Sequence, residues 1–327
     1  MNNSIVIITG SNSGIGKAAA NKFASEGHQV IMACRKSEKS RLAWEEVKSA
    51  SGNSTIELME LDVSSFASIR RFCSEFKEKY SKLDILIHNA GYFKHGIKKY
   101  QLSADNIELT FATNAFGPLL MTELLREHLA ISGNPKVLNA GTSNIKHFFD
   151  PKRHIEFDNL RGEYKDSRRY SVYKMYGDSK MGLFLLTQMM AKRYKAEGIR
   201  VNFLMITAVK VSKDTLSNFS LFYRIIGKIL QNINPYSLSP AHMANNYYRI
   251  CTSDEFAQVT GALISSELNI IPPLKDNMPV KGFRVISELW NTKHIPAYGT
   301  DPANIEKMWE LSTQVTGLTS KEGYRLH

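Results

Sequence analysis

Tyr176 and Lys180 stand four residues apart in a stretch with helical apolar spacing, which sets a phenol and an ammonium on one helix face, one turn from each other. A phenol with its ordinary pKa of ~10 is a poor base at neutral pH, and a neighbouring ammonium that favours the phenolate is the partner it needs. A second kind of chemistry is written near the start. The run Thr9-Gly10-Ser11-Asn12-Ser13-Gly14-Ile15-Gly16 follows an apolar segment directly and leads directly into a helical pattern. Glycines in such a place let the backbone turn tightly and approach a pyrophosphate, while the free N–H groups of the helix start bind the anion. Gly10, Ser11, Asn12, Ser13, Gly14, Ile15 and Gly16 are therefore the expected phosphate cradle. About 20 residues further on, where an NAD-binding unit carries Asp or Glu for the ribose hydroxyls, this chain has Arg35 followed by Lys36. A carboxylate would repel a 2′-phosphate, whereas a guanidinium binds it with a charge-assisted fork, so NADP(H) is the expected cofactor; a solvated basic turn is the alternative.

The elements that would hold these residues alternate short apolar runs with helical patterns, the signature of βαβ units and a parallel sheet. Strands are expected at Ser4–Thr9, Gln29–Ala33, Thr55–Leu61, Asp84–His88, Lys136–Ala140, Arg200–Ile206 and Thr260–Ser265. Helices are expected at Lys17–Ser25, Ser65–Tyr80, residues 104–129, about 170–196, after Ser239-Pro240 and after Asp301-Pro302, where a capping side chain precedes a first-turn proline. The fold class that results is α/β, a Rossmann-type doubly wound parallel sheet. No repeat, low-complexity tract or Pro/Gly/Ser linker interrupts the chain, so residues 1–327 are expected to form a single domain, with residues 207–300 as a substrate-lid and C-terminal region. Within that region Asn218–Asn232 is amphipathic, with Leu221, Phe222, Ile225, Ile226, Ile229 and Leu230 on one side and Arg224 and Lys228 on the other. It reads either as a lid over a lipophilic substrate, with peripheral contact to an anionic membrane, or as a helix packed on the core.

Apolar residues at 43% and charged residues at 22% are ordinary globular usage, which excludes a disordered or fibrous chain. The net charge of +11 comes without a basic stripe or an aromatic platform, so no nucleic-acid partner is expected. Cys34, Cys73 and Cys251 are odd in number and widely spaced, which argues against a disulfide framework and a zinc cluster and for a reducing compartment. No metal is expected. The apolar run behind the N-terminus is too short for a membrane span and lacks a cleavage site, so the expected location is the cytoplasm.

Taken together, these motifs resemble those of the short-chain dehydrogenase/reductase family. Thr9–Gly16 has its TGxxxGxG form, Asn89-Ala90-Gly91 its NAG turn with His88 where another Asn is commonest, and Tyr176-Gly177-Asp178-Ser179-Lys180 its YxxxK motif. Asp62, ahead of Val63, stands where relatives bind the adenine, and Asn114 in FATNAFGPLL stands at the active-site Asn. GSNSGIG, MACR, FDNLRGE and MWELSTQVTGL are similar to the retinol-dehydrogenase-like branch, which implies a preference for NADP(H) and a small lipophilic alcohol or carbonyl substrate. The resemblance implies that Tyr176 exchanges a proton with the substrate oxygen. Lys180 would lower the Tyr176 pKa and hold the nicotinamide ribose, and Asn114 would anchor a water-linked proton relay. A monomer or a homodimer would both suit it.

Two stretches depart from the family pattern. Lys136–Ser143 reads KVLNAGTS, aligning Gly141 and Thr142 with the usual Ser-Ser, so that either Thr142 does the work of the Ser or the site is weak. After the strand Arg200–Ile206, Ile206-Thr207-Ala208-Val209-Lys210-Val211 lacks the family's Pro-Gly, and Val211 replaces a Thr that contacts the carboxamide; Ser212 could substitute. Tyr173 is expected to pack on a neighbouring face of the helix. The leading expectation is hydride transfer between a nicotinamide and a lipophilic alcohol or its ketone or aldehyde. The rival is a catalytically weakened dinucleotide-binding protein with a regulatory or scaffolding role.

Overall fold

In the computed structural model, residues 3–207, 238–290 and 293–318 are described. The lid candidate Asn218–Asn232, and with it Val211 and Ser212, lies outside the described residues.

Eight strands form one sheet in the order β3-β2-β1-β4-β5-β6-β7-β8. They are β1 (Ile5–Thr9), β2 (Gln29–Cys34), β3 (Glu57–Glu60), β4 (Ile85–His88), β5 (Lys136–Ala140), β6 (Arg200–Met205), β7 (Leu263–Ser265) and β8 (Ile270–Ile271). The first seven run parallel and β8 returns antiparallel on β7. The central strands are buried on both faces, which is why they read as unbroken apolar runs rather than alternating ones. From β1 the chain moves out to β3, then crosses back past β1 to β4 and out the other way. That reversal opens a crevice at the carboxyl ends of β1 and β4, where open α/β sheets place their ligands.

Helices cover both faces: α1 (Gly14–Ser25), α2 (Glu38–Ser51) and α7 (Pro240–Thr252) on one, and α3 (Phe66–Lys79), α5 (Gly117–Ala130), α6 (Val172–Arg193) and α10 (Pro302–Thr316) on the other. A short α4 (Leu109–Phe111) precedes α5, and α8 (Phe283–Trp290) and α9 (Ala297–Thr300) precede α10. The caps expected from sequence are made: Ser239 accepts from the His242 N–H and Asp301 from the Ala303 N–H, each with proline next. No helix among the described residues is long and apolar enough to cross a membrane.

Four sequence expectations need correction. The helix expected from residue 104 starts at Leu109, because the buried Glu108 carboxylate accepts from the Phe111 N–H at 2.9 Å and caps it there. Before it, Leu102 and Glu108 form an isolated bridge. Helix α2 was not expected, although Ser37 caps its start and Gly52, at φ +65°, ends it in the left-handed conformation that glycine adopts without strain. Strand β8 was also not expected, so Thr260–Ser265 does not hold the last strand. The third strand is shorter than expected, Glu57–Glu60.

Candidate active site

The glycine turn is built by close approach. A Cβ at Gly16 would stand 2.4 Å from Asn89 Nδ2 and 2.5 Å from the Gly10 carbonyl, and one at Gly10 2.9 Å from the Ala90 Cα, so side chains are excluded from both. What fills the space is a brace between β4 and the turn. The Asn89 amide donates to the Thr9 and Gly10 carbonyls at 3.0 and 3.2 Å and accepts from the Tyr247 hydroxyl at 3.1 Å. The Ala90 N–H donates to Thr9 Oγ1 at 3.0 Å. Ser11 Oγ donates to the Ile8 carbonyl and Asn12 Nδ2 to Ser40 Oγ, both at 3.0 Å.

Beside the turn lies a cleft of about 380 Å³ lined by Gly10, Asn12, Ser13, Arg35, Asp62, Val63, Asn89, Ala90 and Gly91, together with Cys34 and Tyr92. Gly14, Ile15 and Gly16 form the first turn of α1 behind it, and Lys36 is exposed next to Arg35. The Asp62 carboxylate is fixed by the Ser64 N–H at 2.9 Å and the Ser64 hydroxyl at 2.7 Å. A cleft at the switch point, with a cradle that any Cβ would fill and a helix N-terminus facing it, suits an elongated dinucleotide. All three cysteines are buried and unpaired; burial raises the Cys34 thiol.

At the far end of the cleft, the residues from four separate segments meet. Lys180 is buried on α6 and its Nζ donates to the Ala140 carbonyl at 2.7 Å, while burial pushes its pKa down to about 8. A Cβ on Gly91 would stand 3.4 Å from Asn114 Oδ1 and 3.7 Å from Lys180 Nζ, which places the NAG turn against both. Asn114 sits in a π-helical turn, Ala112–Phe116, a distortion that recurs at functional sites. Its Oδ1 accepts from the Tyr92 N–H at 2.7 Å, and its Nδ2 donates to the Tyr92 carbonyl at 3.1 Å and to Ser179 Oγ at 3.0 Å. Ser179 in turn donates to the Tyr176 carbonyl at 2.9 Å, so the amide of Asn114 clamps the loop after β4 to the helix that carries Tyr176.

Burial raises the Tyr176 phenol above its ordinary value, and hydrogen bonding with the Thr142 hydroxyl counters part of that rise. Thr142 also caps a short 3₁₀ helix, Ser143–Phe149, by accepting from the Asn144 N–H at 3.3 Å. Tyr173 does not pack as expected. It is exposed, its hydroxyl is 2.9 Å from His95 Nδ1, and its ring meets Phe93, which lies 4.9 Å from the Tyr176 ring. Two residues beyond Tyr176, the buried Asp178 is paired with Arg153 and Lys174, both at 2.6 Å, yet burial still raises its carboxyl to about 6.

The glycine at position 141 has a steric cause on the neighbouring strand. A Cβ on Gly141 would lie 1.9 Å from Phe203 Cε1 and 2.1 Å from its Cζ, so the ring from β6 occupies the space of a side chain there. Ile206 accepts from the Ser143 N–H at 3.0 Å, and Thr207 is held through its N–H and hydroxyl to Ser266 Oγ at 3.2 and 3.1 Å. Ile206 and Thr207 are thus tied to the sheet without the Pro-Gly pair.

Residues 4–146 match the family profile of the short chain dehydrogenases. Human retinol dehydrogenase 11 is 35% identical over 195 residues, 60% of this chain and 58% of that protein. Human retinol dehydrogenase 13 is 33% identical over 197 residues, 60% of this chain and 56% of that protein. A chloroplastic short-chain dehydrogenase, TIC 32 B of Brassica napus, is 34% identical over 198 residues, 60% of each chain. The chain thus spans less than two thirds of the length of the curated relatives it matches. Among solved structures, levodione reductase superposes with a TM-score of 0.62 at 19% identity, covering 80% of this chain and 95% of that one. The 3-ketoacyl-(acyl-carrier-protein) reductase of Brucella melitensis, complexed with NADH, gives 0.59 at 21% identity, with 80% and 96% covered. A short chain dehydrogenase of Shigella flexneri complexed with NADP gives 0.61 at 19% identity, with 82% and 98% covered. At such identities these structures speak for the fold. Over residues 4–146 the chain is thus similar to the short chain dehydrogenases, and over 60% of its length it resembles retinol dehydrogenases.

Proposed function

We propose that the protein is an NADP(H)-dependent oxidoreductase that interconverts a lipophilic alcohol and its ketone or aldehyde. The observation that supports it best is the convergence of Gly91, Asn114, Lys180 and the Tyr176–Thr142 pair at one end of the cleft. When bound, the nicotinamide would give or take the hydride. Tyr176 holds the proton that the substrate oxygen receives on reduction, and its burial keeps the phenol protonated and able to donate. Lys180, held at Ala140, supplies the positive charge that favours the phenolate once the proton has left. Thr142 accepts a backbone N–H with its lone pair and so keeps its own proton for the phenol or the substrate oxygen.

Asn114 is the proposed anchor of the relay. Its side chain, fixed by Tyr92 and Ser179, holds this turn against α6, where a water of a proton relay would be anchored. Arg35 lines the cleft at the end of β2 and is exposed, as a ligand for a 2′-phosphate would be. The buried thiols support a reducing, cytoplasmic setting. One domain over residues 1–327, with residues 207–300 as its substrate-lid and C-terminal region, and a monomer or homodimer belong to the same proposal.

The second reading, a dinucleotide-binding protein with weakened chemistry, draws on Phe203, which closes the Gly141 position to any side chain. Titration with NADPH beside a panel of lipophilic aldehydes and ketones separates the two. Turnover is expected; tight binding without turnover on any member of the panel favours the second reading.

A further inference from the structure

Close to Lys180, two buried side chains lie on the sheet face that helices α5 and α6 cover. His88 ends β4 and Asn139 lies on β5, and they are register partners in a parallel pair, so their side chains leave the same face of strands about 4.8 Å apart. Both are essentially inaccessible to solvent.

Their hydrogen positions follow from their neighbours. Thr122 Oγ1 gives its single proton to the Pro118 carbonyl at 2.8 Å. With that proton on Pro118, His88 Nε2, 2.8 Å from the same oxygen, is assigned as the donor, which makes the ring the Nε2–H tautomer with a bare lone pair on Nδ1. Asn139 is fixed in the same way. Thr187 Oγ1 gives its proton to the Leu183 carbonyl at 2.7 Å, so the Asn139 group 2.8 Å from it is the NH₂, and Oδ1 is left as an acceptor. Neither His88 Nδ1 nor Asn139 Oδ1 has a hydrogen-bond partner among the described residues. Two acceptors cannot satisfy each other, and a buried acceptor without a donor is costly. Protonation of the ring offers no escape, because burial and the nearby Lys180 charge press the His88 pKa down to about 3.

Lys180 supplies the third side of the arrangement. Its Nζ uses one hydrogen on the carbonyl of Ala140, the residue after Asn139, and an ammonium has three. We propose that one buried water sits here, donating to His88 Nδ1 and Asn139 Oδ1 and accepting from the Lys180 ammonium. Three bonds to otherwise unsatisfied groups is the usual complement of an internal water. His88 is then a positioning residue that acts on Lys180 through this water. The ammonium is held from behind as well as at Ala140, and its charge keeps a solvating oxygen in an otherwise dry place. The water site rests on the protein geometry alone; what the held ammonium does for turnover rests on the proposed function.

A crystal structure at atomic resolution and ¹⁵N NMR of the histidine rings test it on the unmodified chain, with no cofactor or turnover required. An ordered water within ~3.2 Å of both acceptors and an Nε2–H tautomer whose Nδ1 accepts a hydrogen bond are expected. A dry space in clear density, an Nδ1–H tautomer or a charged ring would overturn the proposal. The positioning role is read from the Lys180 ammonium signal, which is visible when its hydrogens are held and exchange slowly. It should persist in His88→Asn, which keeps an acceptor, and vanish in His88→Leu and in Asn139→Leu. Persistence in a folded Leu variant at either site refutes the role. Since activity is not measured, failure here is distinguishable from failure of the oxidoreductase reading.

Discussion

A single methyl group added at Gly141 should expose why this site carries glycine there. The new Cβ of Gly141→Ala would stand 1.9 Å from Phe203 Cε1 and 2.1 Å from Cζ, far inside contact distance. The ring has little room to retreat. Phe203 is fully buried on β6 and meets Phe184 of α6 edge-on at 5.3 Å, and α6 carries Tyr176 and Lys180. Overpacking of this kind costs about 1 to 3 kcal/mol when the core adjusts. Phe203→Leu alone leaves a void and is destabilising as well. In the double variant the added methyl enters the space that the shorter side chain vacates, so the two losses should not add. Urea unfolding of the four proteins measures the coupling, expected at about 1 to 3 kcal/mol in favour of the double variant. Additive losses, or a Gly141→Ala protein as stable as the parent, would refute the claim that Phe203 dictates glycine at this position.

Changing Arg35 to Asp should remove at least a tenfold preference for NADP(H) over NAD(H), read by titration with both cofactors; equal affinities in the unmodified chain would take Arg35 out of cofactor recognition. Thr142→Ser should keep or raise turnover, whereas Thr142→Val should depress it strongly, and by more than the ~0.5 to 2 kcal/mol of stability that loss of the Asn144 cap explains; equal rates for Thr and Val would remove Thr142 from the chemistry. Lys180 supplies a pH signature in the protein without cofactor: its folded pKa of about 8 lies below the ordinary 10.5, so between these values the unfolded chain binds more protons and this group's contribution to stability rises with pH. Lys180→Met should flatten that rise in unfolding measured from pH 8 to 10, and an unchanged slope would contradict the burial of a titrating ammonium.

Much of this was legible in the sequence because it is local. A strand that runs into a glycine turn and then a helix is specified by neighbouring residues, and so are the caps at Ser239-Pro240 and Asp301-Pro302. Tyr176 and Lys180 share a helix, and the chain alone sets their spacing. What escaped depends on distant segments. Gly141 is set by a phenylalanine 62 residues later, and the start of α4 by a glutamate whose burial needs the Tyr170 hydroxyl at 2.9 Å. The role of Ser179 between Asn114 and Tyr176 is likewise visible only once α6 lies against the loop after β4. Helix α2 is different: its cap and its terminal glycine were readable, but its alternating charges hide a narrow apolar stripe of Ala43 and Val47. The exposure of Tyr173 is not legible because helical spacing says which face a side chain takes, not what meets it there.

The central claim, that Tyr176 passes the proton in NADPH-dependent reduction of a lipophilic carbonyl, is tested most directly by one paired measurement. NADPH oxidation is followed with the best aldehyde or ketone of the panel for the unmodified chain and for Tyr176→Phe, with NADPH binding titrated in both. Removing only the phenolic hydroxyl is expected to lower turnover by about 100- to 10,000-fold, the range for a general acid, and to leave NADPH affinity within about threefold. Comparable turnover in the Phe variant would contradict the claim and place the proton donor elsewhere.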